Sequence, residues 1–274
     1  MKRKLTAARS LLWALAAVTV AGSAVAQSSS PEDEIAQYRA MFGDDNPAEL
    51  WQTRGEALWK QPRGPKNVAL AQVCDLGLGV GVAAGAYAQL PRYFSDTGQV
   101  QDLESRLVTC MVRGQGFTEP EAIQQHFGKG DAKSDLEALS AYLVAQSDGK
   151  PMHVPFERPE ERAAYELGKQ VFFYRAGTHD FSCATCHSQT GKRIRLQILP
   201  NLTTAEGAAA AYTTWPAYRI SEGEFRTMEW RIQDCFRQQR LPQLKYLSPV
   251  AIALTEYLAR NADGGVIKAP GLKR

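Results

Sequence analysis

The residues Cys183-Ala184-Thr185-Cys186-His187 carry the clearest chemistry in this sequence. Two cysteines three positions apart, followed at once by a histidine, form the attachment motif of a c-type haem. The two thiols bond to the vinyl groups of the haem, and the adjacent imidazole binds the iron. The sequence therefore predicts one covalently bound haem c, attached through Cys183 and Cys186, with His187 as the first axial ligand.

A pair of cysteines with this spacing can also be half of a zinc site or a redox-active dithiol. Zinc would need two further ligands, for which the chain offers only Cys235 and scattered histidines. A dithiol of the thioredoxin type would lie in a βαβ pattern, and we find no such pattern here. We therefore favour the haem.

The second axial position on the iron has two candidate ligands. An electron-transfer cytochrome c usually uses Met or His there. After His187 the sequence contains no histidine and a single methionine, Met228. Met228 also fits the apolar face of a helix, where it would be an ordinary core residue. Cys235 is the other sulfur available, and the residues alone leave the choice between Met228 and Cys235 open.

Three features favour a chemical role for Cys235: it is the unpaired thiol, Arg231 precedes it, and the segment from His187 to Arg240 is basic, with eight Lys and Arg against five acids. Of the five cysteines, two attach haem and two can pair, which leaves one thiol over. Arg231 lies one helical turn earlier, where its guanidinium can stabilise a thiolate or hold an anion. Arg231 and ferric iron should together lower the pKa of the thiol below its free value of about 8.5. Because a thiolate can exchange sulfur with other sulfur compounds, Cys235 on the iron predicts sulfur transfer, whereas Met228 predicts a plain electron carrier.

The chain repeats itself on either side of a segment rich in Gly and Pro that begins at Ser147. Two pairs of segments are alike: 106–111 with 231–236, and 138–143 with 253–258. In the first pair, an arginine lies four residues before a cysteine in both copies. We interpret the pattern as an internal duplication.

Helix signals indicate the fold class. Ser134 with Glu137, and Ser221 with Glu224, have the spacing of capping boxes, and Ser248 precedes a proline, as at the start of many helices. No convincing alternating strand is present. The sequence therefore predicts a mainly α fold of two tandem cytochrome c-like domains, the N-terminal one without haem. The predicted parts are a signal peptide (1–26), an N-terminal extension (27–65), a degenerate haem-free domain (66–150) and a haem-binding domain (160–274).

The first half retains part of a haem motif around Cys74. Ala71 stands where the first cysteine would be, and Asp75 stands where the histidine would be. We interpret this as a decayed attachment site that holds no iron. Cys74 and Cys110 would then face each other across the place of the haem, and we predict a disulfide between them. The alternative is that Cys74 is simply a buried apolar residue.

The N-terminal 26 residues have the pattern of a secretory signal: four early cations, an apolar stretch and the small-residue site Ala24-Val25-Ala26. Cleavage would leave 248 of the 274 residues, and removing four cations changes the net charge from +3 to −1. A nearly neutral mature chain gives no reason to expect nucleic acid as a partner. The apolar stretch is short for a membrane span, so we expect an exported protein with no span in its mature form.

Taken together, these motifs resemble the SoxA subunits of SoxAX cytochromes. The resemblance lies in the haem motif, in the segment from Arg231 through Cys235 to Arg237, and in the C-terminal helical region 248–264, and it extends over both halves from about Asn67 to Gly264. Some members of the family carry two haems, and the departures at Ala71 and Asp75 make this chain similar to the single-haem kind.

The resemblance implies an L-cysteine S-thiosulfotransferase of the periplasm. Thiosulfate would be joined oxidatively to a cysteine of the carrier SoxY, held in SoxYZ, and the electrons would leave through SoxX, a small c-type cytochrome that forms a heterodimer with SoxA. It further implies that Cys235 is the distal iron ligand and the sulfur centre, found as a persulfide in the family. Arg231 would bind the anionic substrate.

Overall fold

The computed structural model describes residues 37, 41, 46–124, 126–128, 130, 132–194 and 197–273. The predicted signal peptide lies outside the described residues. The helices are α1 (Ala48–Lys60), α2 (Leu70–Val73), α3 (Leu103–Cys110), α4 (Glu119–Ala122), α5 (Asp135–Ala145), α6 (Pro159–Phe173), α7 (Cys183–His187), α8 (Ala205–Tyr212), α9 (Met228–Gln238) and α10 (Pro249–Asn261). A short 3-10 helix spans Tyr87–Gln89, and a π-helix spans Met111–Gln115.

Two helix pairs form the frame of the molecule. Helix α1 packs on α5, and α6 packs on α10. Each pair crosses at a glycine: a Cβ on Gly55 would lie 1.9 Å from the carbonyl oxygen of Ala138, and a Cβ on Gly168 would lie 1.9 Å from that of Ala253. The two backbones touch where no side chain fits between them. The N-terminal residues expected to form an extension therefore include a helix that packs directly on α5.

Short strands precede the two helices that carry the repeated Arg and Cys residues. Strands β1 (Arg92–Phe94) and β2 (Gln99–Gln101) form a hairpin before α3, and β5 (Ala217–Arg219) and β6 (Glu224–Arg226) form one before α9. Strand β7 (Gly271–Lys273) adds to β5 in parallel, and β3 (Arg193–Ile194) pairs with β4 (Gln197–Ile198). The expectation that the halves lack strands was therefore wrong for these segments, because three-residue strands are too short to show alternation.

The predicted helix start at Ser221 was also wrong. Gly223 has φ +68°, which closes the hairpin turn, and Glu224 begins β6. Helix α9 starts later and is capped by Thr227, whose hydroxyl accepts a hydrogen bond from the Trp230 amide at 3.3 Å. The caps at Ser134 and Ser248 are present.

The segment between the halves is packed against the C-terminal part of the chain. The Met152 amide donates to the Gly265 carbonyl at 2.8 Å, and the Ile267 amide donates to the Lys150 carbonyl at 2.9 Å. Met152 and Val154 are buried in the core. This segment therefore connects the halves as part of the fold and not as a loose tether.

Buried side chains join the two halves. Tyr87 and Tyr212 stack with nearly parallel rings whose centroids are 6.5 Å apart. Arg226 donates to Glu137 across the junction at 2.8 Å, and neither side chain is exposed to solvent. Glu137 therefore does not close the predicted capping box with Ser134, since its carboxylate is engaged by Arg226.

The first half contains a disulfide between Cys74 and Cys110, the pairing that the sequence analysis predicted. Asp75, the next residue, accepts hydrogen bonds from the amides of Gly77 (2.7 Å) and Gly79 (3.0 Å). The Arg106 guanidinium donates to the Asp75 carbonyl at 2.6 Å. The position where a haem motif would have its histidine is thus used to hold a glycine-rich loop.

Candidate haem and sulfur site

The haem motif forms the single-turn helix α7. Ser182 caps this helix, since its hydroxyl accepts a hydrogen bond from the Thr185 amide at 3.2 Å and its own amide donates to the Thr185 hydroxyl at 3.0 Å. Cys183 and Cys186 are half-buried and form no disulfide. The cap keeps both thiols and the following histidine within one helical turn, as attachment to one haem requires.

The His187 ring has the orientation of a metal ligand. Its Nδ1–H donates to the Pro200 carbonyl at 3.0 Å, and because a carbonyl can only accept, the proton lies on Nδ1 and the lone pair on Nε2. Burial lowers the pKa of His187, the Pro200 hydrogen bond opposes this, and the Arg231 charge adds to the lowering. A neutral imidazole with a free Nε2 fits an iron ligand, so the residues present fit a haem.

Cys235 lies on α9 beside the haem motif. Its thiol is close enough to Cys183 and Cys186 for their ionisations to disfavour one another. Burial raises the pKa of Cys235, the Arg231 charge lowers it, and Asp234 raises it again. The spacing of Arg231 and Cys235 predicts a lowered pKa of the thiol. In the polypeptide alone that effect is present, but burial outweighs it.

Arg231 is fixed by a neighbouring carboxylate. One of its guanidinium nitrogens lies 3.2 Å from Asp234, which is buried and also accepts hydrogen bonds from Arg237 and Gln238, both at 2.6 Å. The Arg231 side chain is 31% exposed, so it reaches solvent while its charge acts on both His187 and Cys235. An anion next to the thiol could therefore contact this guanidinium without displacing the whole ion pair.

Arg219 is a further residue of this site, which was not predicted from the sequence. Arg219 ends β5, lies 3.3 Å from Glu222, and has its guanidinium carbon 5.5 Å from the centre of the Trp230 ring. Its charge, like that of Arg231, lowers the pKa of Cys235. No linear signal connects Arg219 with a cysteine 16 positions later, because the hairpin that brings them together was not predicted.

Met228 lies elsewhere. It is the first residue of α9, seven positions before Cys235, which corresponds to about 10 Å along a helix. It is buried and lines a small internal cavity at the junction of the halves, together with Leu103, Tyr87 and Tyr212. No residue of the haem motif lines that cavity.

Comparisons with known proteins show which family the chain resembles over its length. The family model described as SoxA/TsdA, cytochrome c domain, matches residues 54–152 and 167–267. The chain is 50% identical over 276 aligned positions to the L-cysteine S-thiosulfotransferase subunit SoxA of Hydrogenophilus thermoluteolus, and the alignment covers 100% of both. A relative with the same description from Hydrogenobacter thermophilus is 33% identical over 99% of this chain and 100% of its own length.

Among solved structures, the chain matches the crystal structure of SoxXA from P. pantotrophus with a TM-score of 0.71 at 22% identity, over 87% of this chain and 84% of that one. This likeness shows a shared mainly helical, cytochrome c-like fold. No helix of the described residues is long and apolar enough to cross a membrane. The 50% identity to a relative over the full length and the match to the family model confirm the resemblance drawn from the haem motif and the Arg231–Cys235 segment. The chain therefore belongs to the SoxA family of c-type cytochromes.

Proposed function

We propose that this chain is the catalytic cytochrome subunit of a periplasmic enzyme that attaches thiosulfate oxidatively to a cysteine of a carrier protein. Relatives over the full length are named L-cysteine S-thiosulfotransferase subunit SoxA. The observation that carries the proposal is the placement of the Cys235 thiol beside the haem motif and within the field of two guanidinium groups. The carrier would be of the SoxY type, held in SoxYZ, and the subunit would pair with a small c-type cytochrome of the SoxX type.

The haem would be held by Cys183 and Cys186, and His187 and Cys235 would supply the nitrogen and sulfur ligands to its iron. When bound, it supplies one-electron redox chemistry at an iron with an anionic sulfur donor, which favours the ferric state. The free Nε2 of His187 and the closeness of Cys235 to both motif cysteines support this ligand set.

The overall reaction is an oxidative coupling of the carrier cysteine with thiosulfate. The S–H bond of the carrier cysteine breaks, a sulfur–sulfur bond forms between that cysteine and the terminal sulfur of thiosulfate, one proton goes to solvent, and two electrons leave to the cytochrome partner. The protein must therefore bind a dianion, present a sulfur centre and leave space for the carrier cysteine. Arg231 and Arg219 would hold the anion, and Cys235 would be the sulfur centre that receives thiosulfate before the carrier does.

The competing function is electron transfer with His187 and Met228 on the iron and no catalysis. The position of Met228 in the cavity between the halves, apart from the haem motif, weighs against this ligand set. Cys235 is the sulfur that lies next to the motif.

We also infer that the two halves are tandem cytochrome c-like domains and that the first has no haem. Both halves have the same helix crossing at a glycine, and both have a short hairpin leading into the helix that carries Arg and Cys. The packing of α1 on α5 argues that the first domain begins near Ala48 and not at residue 66. Its place for a haem is taken by the Cys74–Cys110 disulfide and by Asp75.

A single haem is a direct expectation of this assignment. We expect the intact mature protein to have the mass of the polypeptide plus one haem c, because only the second half offers two free thiols followed by a histidine. Intact-protein mass spectrometry measures this, and a Cys183→Ala/Cys186→Ala variant should carry none. A mass increment of two haems in the wild type would contradict the assignment of the first half.

The arginines should contribute to substrate binding in proportion to their contact with the anion. We expect Arg231→Ala to lower kcat/KM for thiosulfate by about 10- to 100-fold, since a charged hydrogen bond contributes about 1.5–3 kcal/mol. Arg219→Ala should have a smaller effect in the same direction. Steady-state kinetics with the carrier protein measures both, and covalent haem should be retained.

The matched control is Arg113→Ala, which removes an exposed arginine of the first half that pairs with Asp96. Its kinetics should equal those of the wild type. Wild-type kinetics for Arg231→Ala would remove Arg231 from the anion site, and the same result for Arg219→Ala would limit the site to one guanidinium.

A further inference from the structure

Three carboxyl groups are buried together where the two halves meet. Asp102 caps α3, Glu104 lies in its first turn, and Glu229 lies in the first turn of α9. Their exposed fractions are 4%, 5% and 0%. Asp102 and Glu104 line the same small cavity as Met228, so the cluster borders both halves.

Two of the three acids are hydrogen-bonded to the segment that follows α9. The Tyr246 hydroxyl donates to Glu104 at 2.6 Å, and the Leu247 amide donates to Glu229 at 2.9 Å. Glu229 Oε1 is buried and has no hydrogen-bond partner, and the Asp102 charge is near enough to raise the pKa of Glu229. A buried carboxylate oxygen without a donor, next to a second carboxyl group, disfavours the charged form, so the cluster favours a proton on one of these groups.

The pKa values of these acids are shifted most by burial, by the charges of the neighbouring acids, and by hydrogen bonds from hydroxyls and backbone amides. No lysine or arginine is among these strongest causes. Burial raises the pKa of Glu104 to about 8, with the Asp102 charge acting in the same direction. Burial likewise raises the pKa of Glu229 and of Asp102. The titratable groups around the cluster are the phenols of Tyr87, Tyr212 and Tyr246 and, farther out, the carboxyls of Glu137 and Glu256. The His126 ring stacks on Tyr246 with centroids 4.3 Å apart, and burial lowers the pKa of His126, so it loses its proton below the pH range in which Glu104 titrates.

The segment held by this cluster, residues 239–248, joins α9 to α10. Leu247 has φ +55°, a left-handed conformation that costs free energy for a branched side chain and persists only when its surroundings hold it. The hydrogen bond from its amide to Glu229 does so. Arg240, at the other end of the segment, also has a positive φ of 54°.

We propose that Asp102, Glu104 and Glu229 form a proton-dependent joint that fixes segment 239–248 and, with it, helix α9 that carries Cys235. The three acids are positioning residues, and their side chains accept hydrogen bonds from Ser105, Tyr246 and Leu247. The joint does not depend on the sulfur chemistry proposed above, so it can be tested without measuring activity.

The sign of the pH dependence follows from the raised pKa values. A buried acid whose pKa is higher in the folded than in the unfolded state stabilises the fold below the unfolded value of about 4.5 and loses this contribution as pH rises through the folded value. The free energy of unfolding and the local closure of segment 239–248 should therefore both decrease from mildly acidic to alkaline pH. Below the pKa of Glu104, near 8, the joint is closed.

Hydrogen exchange of the haem-loaded mature protein tests the proposal. Protection of the amides in 241–248, corrected for the intrinsic effect of pH on exchange, should fall by about tenfold or more between pH 6 and pH 9, since one released proton gives a factor of ten per pH unit. In the Glu104→Gln/Glu229→Gln variant, which keeps the size and hydrogen-bonding capacity of both side chains, protection should stay constant over this range.

The control variant is Glu166→Gln, which changes an exposed acid on α6 and should keep the wild-type pH profile. Constant protection in the wild type from pH 6 to pH 9 would overturn the proposal, even if the double variant failed to fold. Equal loss of protection in the wild type and the double variant would overturn it too, because the opening would then have another cause, such as a change at the iron.

Discussion

Replacing Cys235 with alanine should abolish thiosulfate-dependent turnover while leaving the haem covalently attached. The proposed attachment is through Cys183 and Cys186, which the substitution does not touch. Removal of the sulfur centre of a transfer reaction lowers kcat by about 1,000-fold or more. The absorption and electron paramagnetic resonance spectra should change at the same time, because the substitution would remove the sulfur proposed to bind the iron.

Met228→Leu is the matched comparison for Cys235→Ala. It changes the other sulfur of α9 but keeps its size and apolar character, and Met228 lies in the cavity between the halves. We expect its spectra and its turnover to be those of the wild type. If Met228→Leu changed the spectrum and Cys235→Ala did not, the protein would be an electron carrier with a thioether ligand, and the transferase assignment would be lost.

The largest effect on stability should come from the disulfide of the first half. A Cys74→Ala/Cys110→Ala variant should lose about 4 kcal/mol of the free energy of unfolding, from the loop entropy of a bridge between residues 36 positions apart. For a chain of this size, that corresponds to a fall in Tm of about 8 to 16 °C. Thermal denaturation followed by circular dichroism measures it.

A reductant supplies the control for this stability prediction. Adding it to the wild type should reproduce the fall in Tm, whereas the double variant should not respond, since the thioether bonds to haem are not reducible. A non-reducing digest that contained Cys74 and Cys110 as free thiols, or a double variant as stable as the wild type, would contradict a stabilising role for the bridge.

The sequence was most informative where the chemistry is local. The haem motif occupies five consecutive residues, and Arg231 and Cys235 are one helical turn apart, so neither needs tertiary information. The disulfide could be predicted because the repeat aligned Cys110 with Cys235 and Cys74 with a haem cysteine. Family membership followed from the same motifs.

Features that depend on tertiary contacts could not be predicted from the sequence. The Pro200 carbonyl that orients His187, and Arg219 beside Cys235, are brought in by loops and by a hairpin of three-residue strands. The raised pKa of the Cys235 thiol is a consequence of burial, which the arginine spacing could not reveal. The packing of α1 on α5 was not predicted, because the residues that α1 contacts lie about 80 positions later in the chain.

The buried pair of Arg226 and Glu137 has a consequence for how such a protein can evolve. Each half contributes one charge, and neither charge meets solvent. Expressed as separate fragments, the first half would expose Glu137 without its partner, whereas Arg226 of the second half would keep its ion pair with Glu222. Removing one partner of a buried pair costs about 3–5 kcal/mol. If the halves are the tandem domains proposed above, this pair makes each dependent on the other, so a first half without haem would be kept as a scaffold for the second.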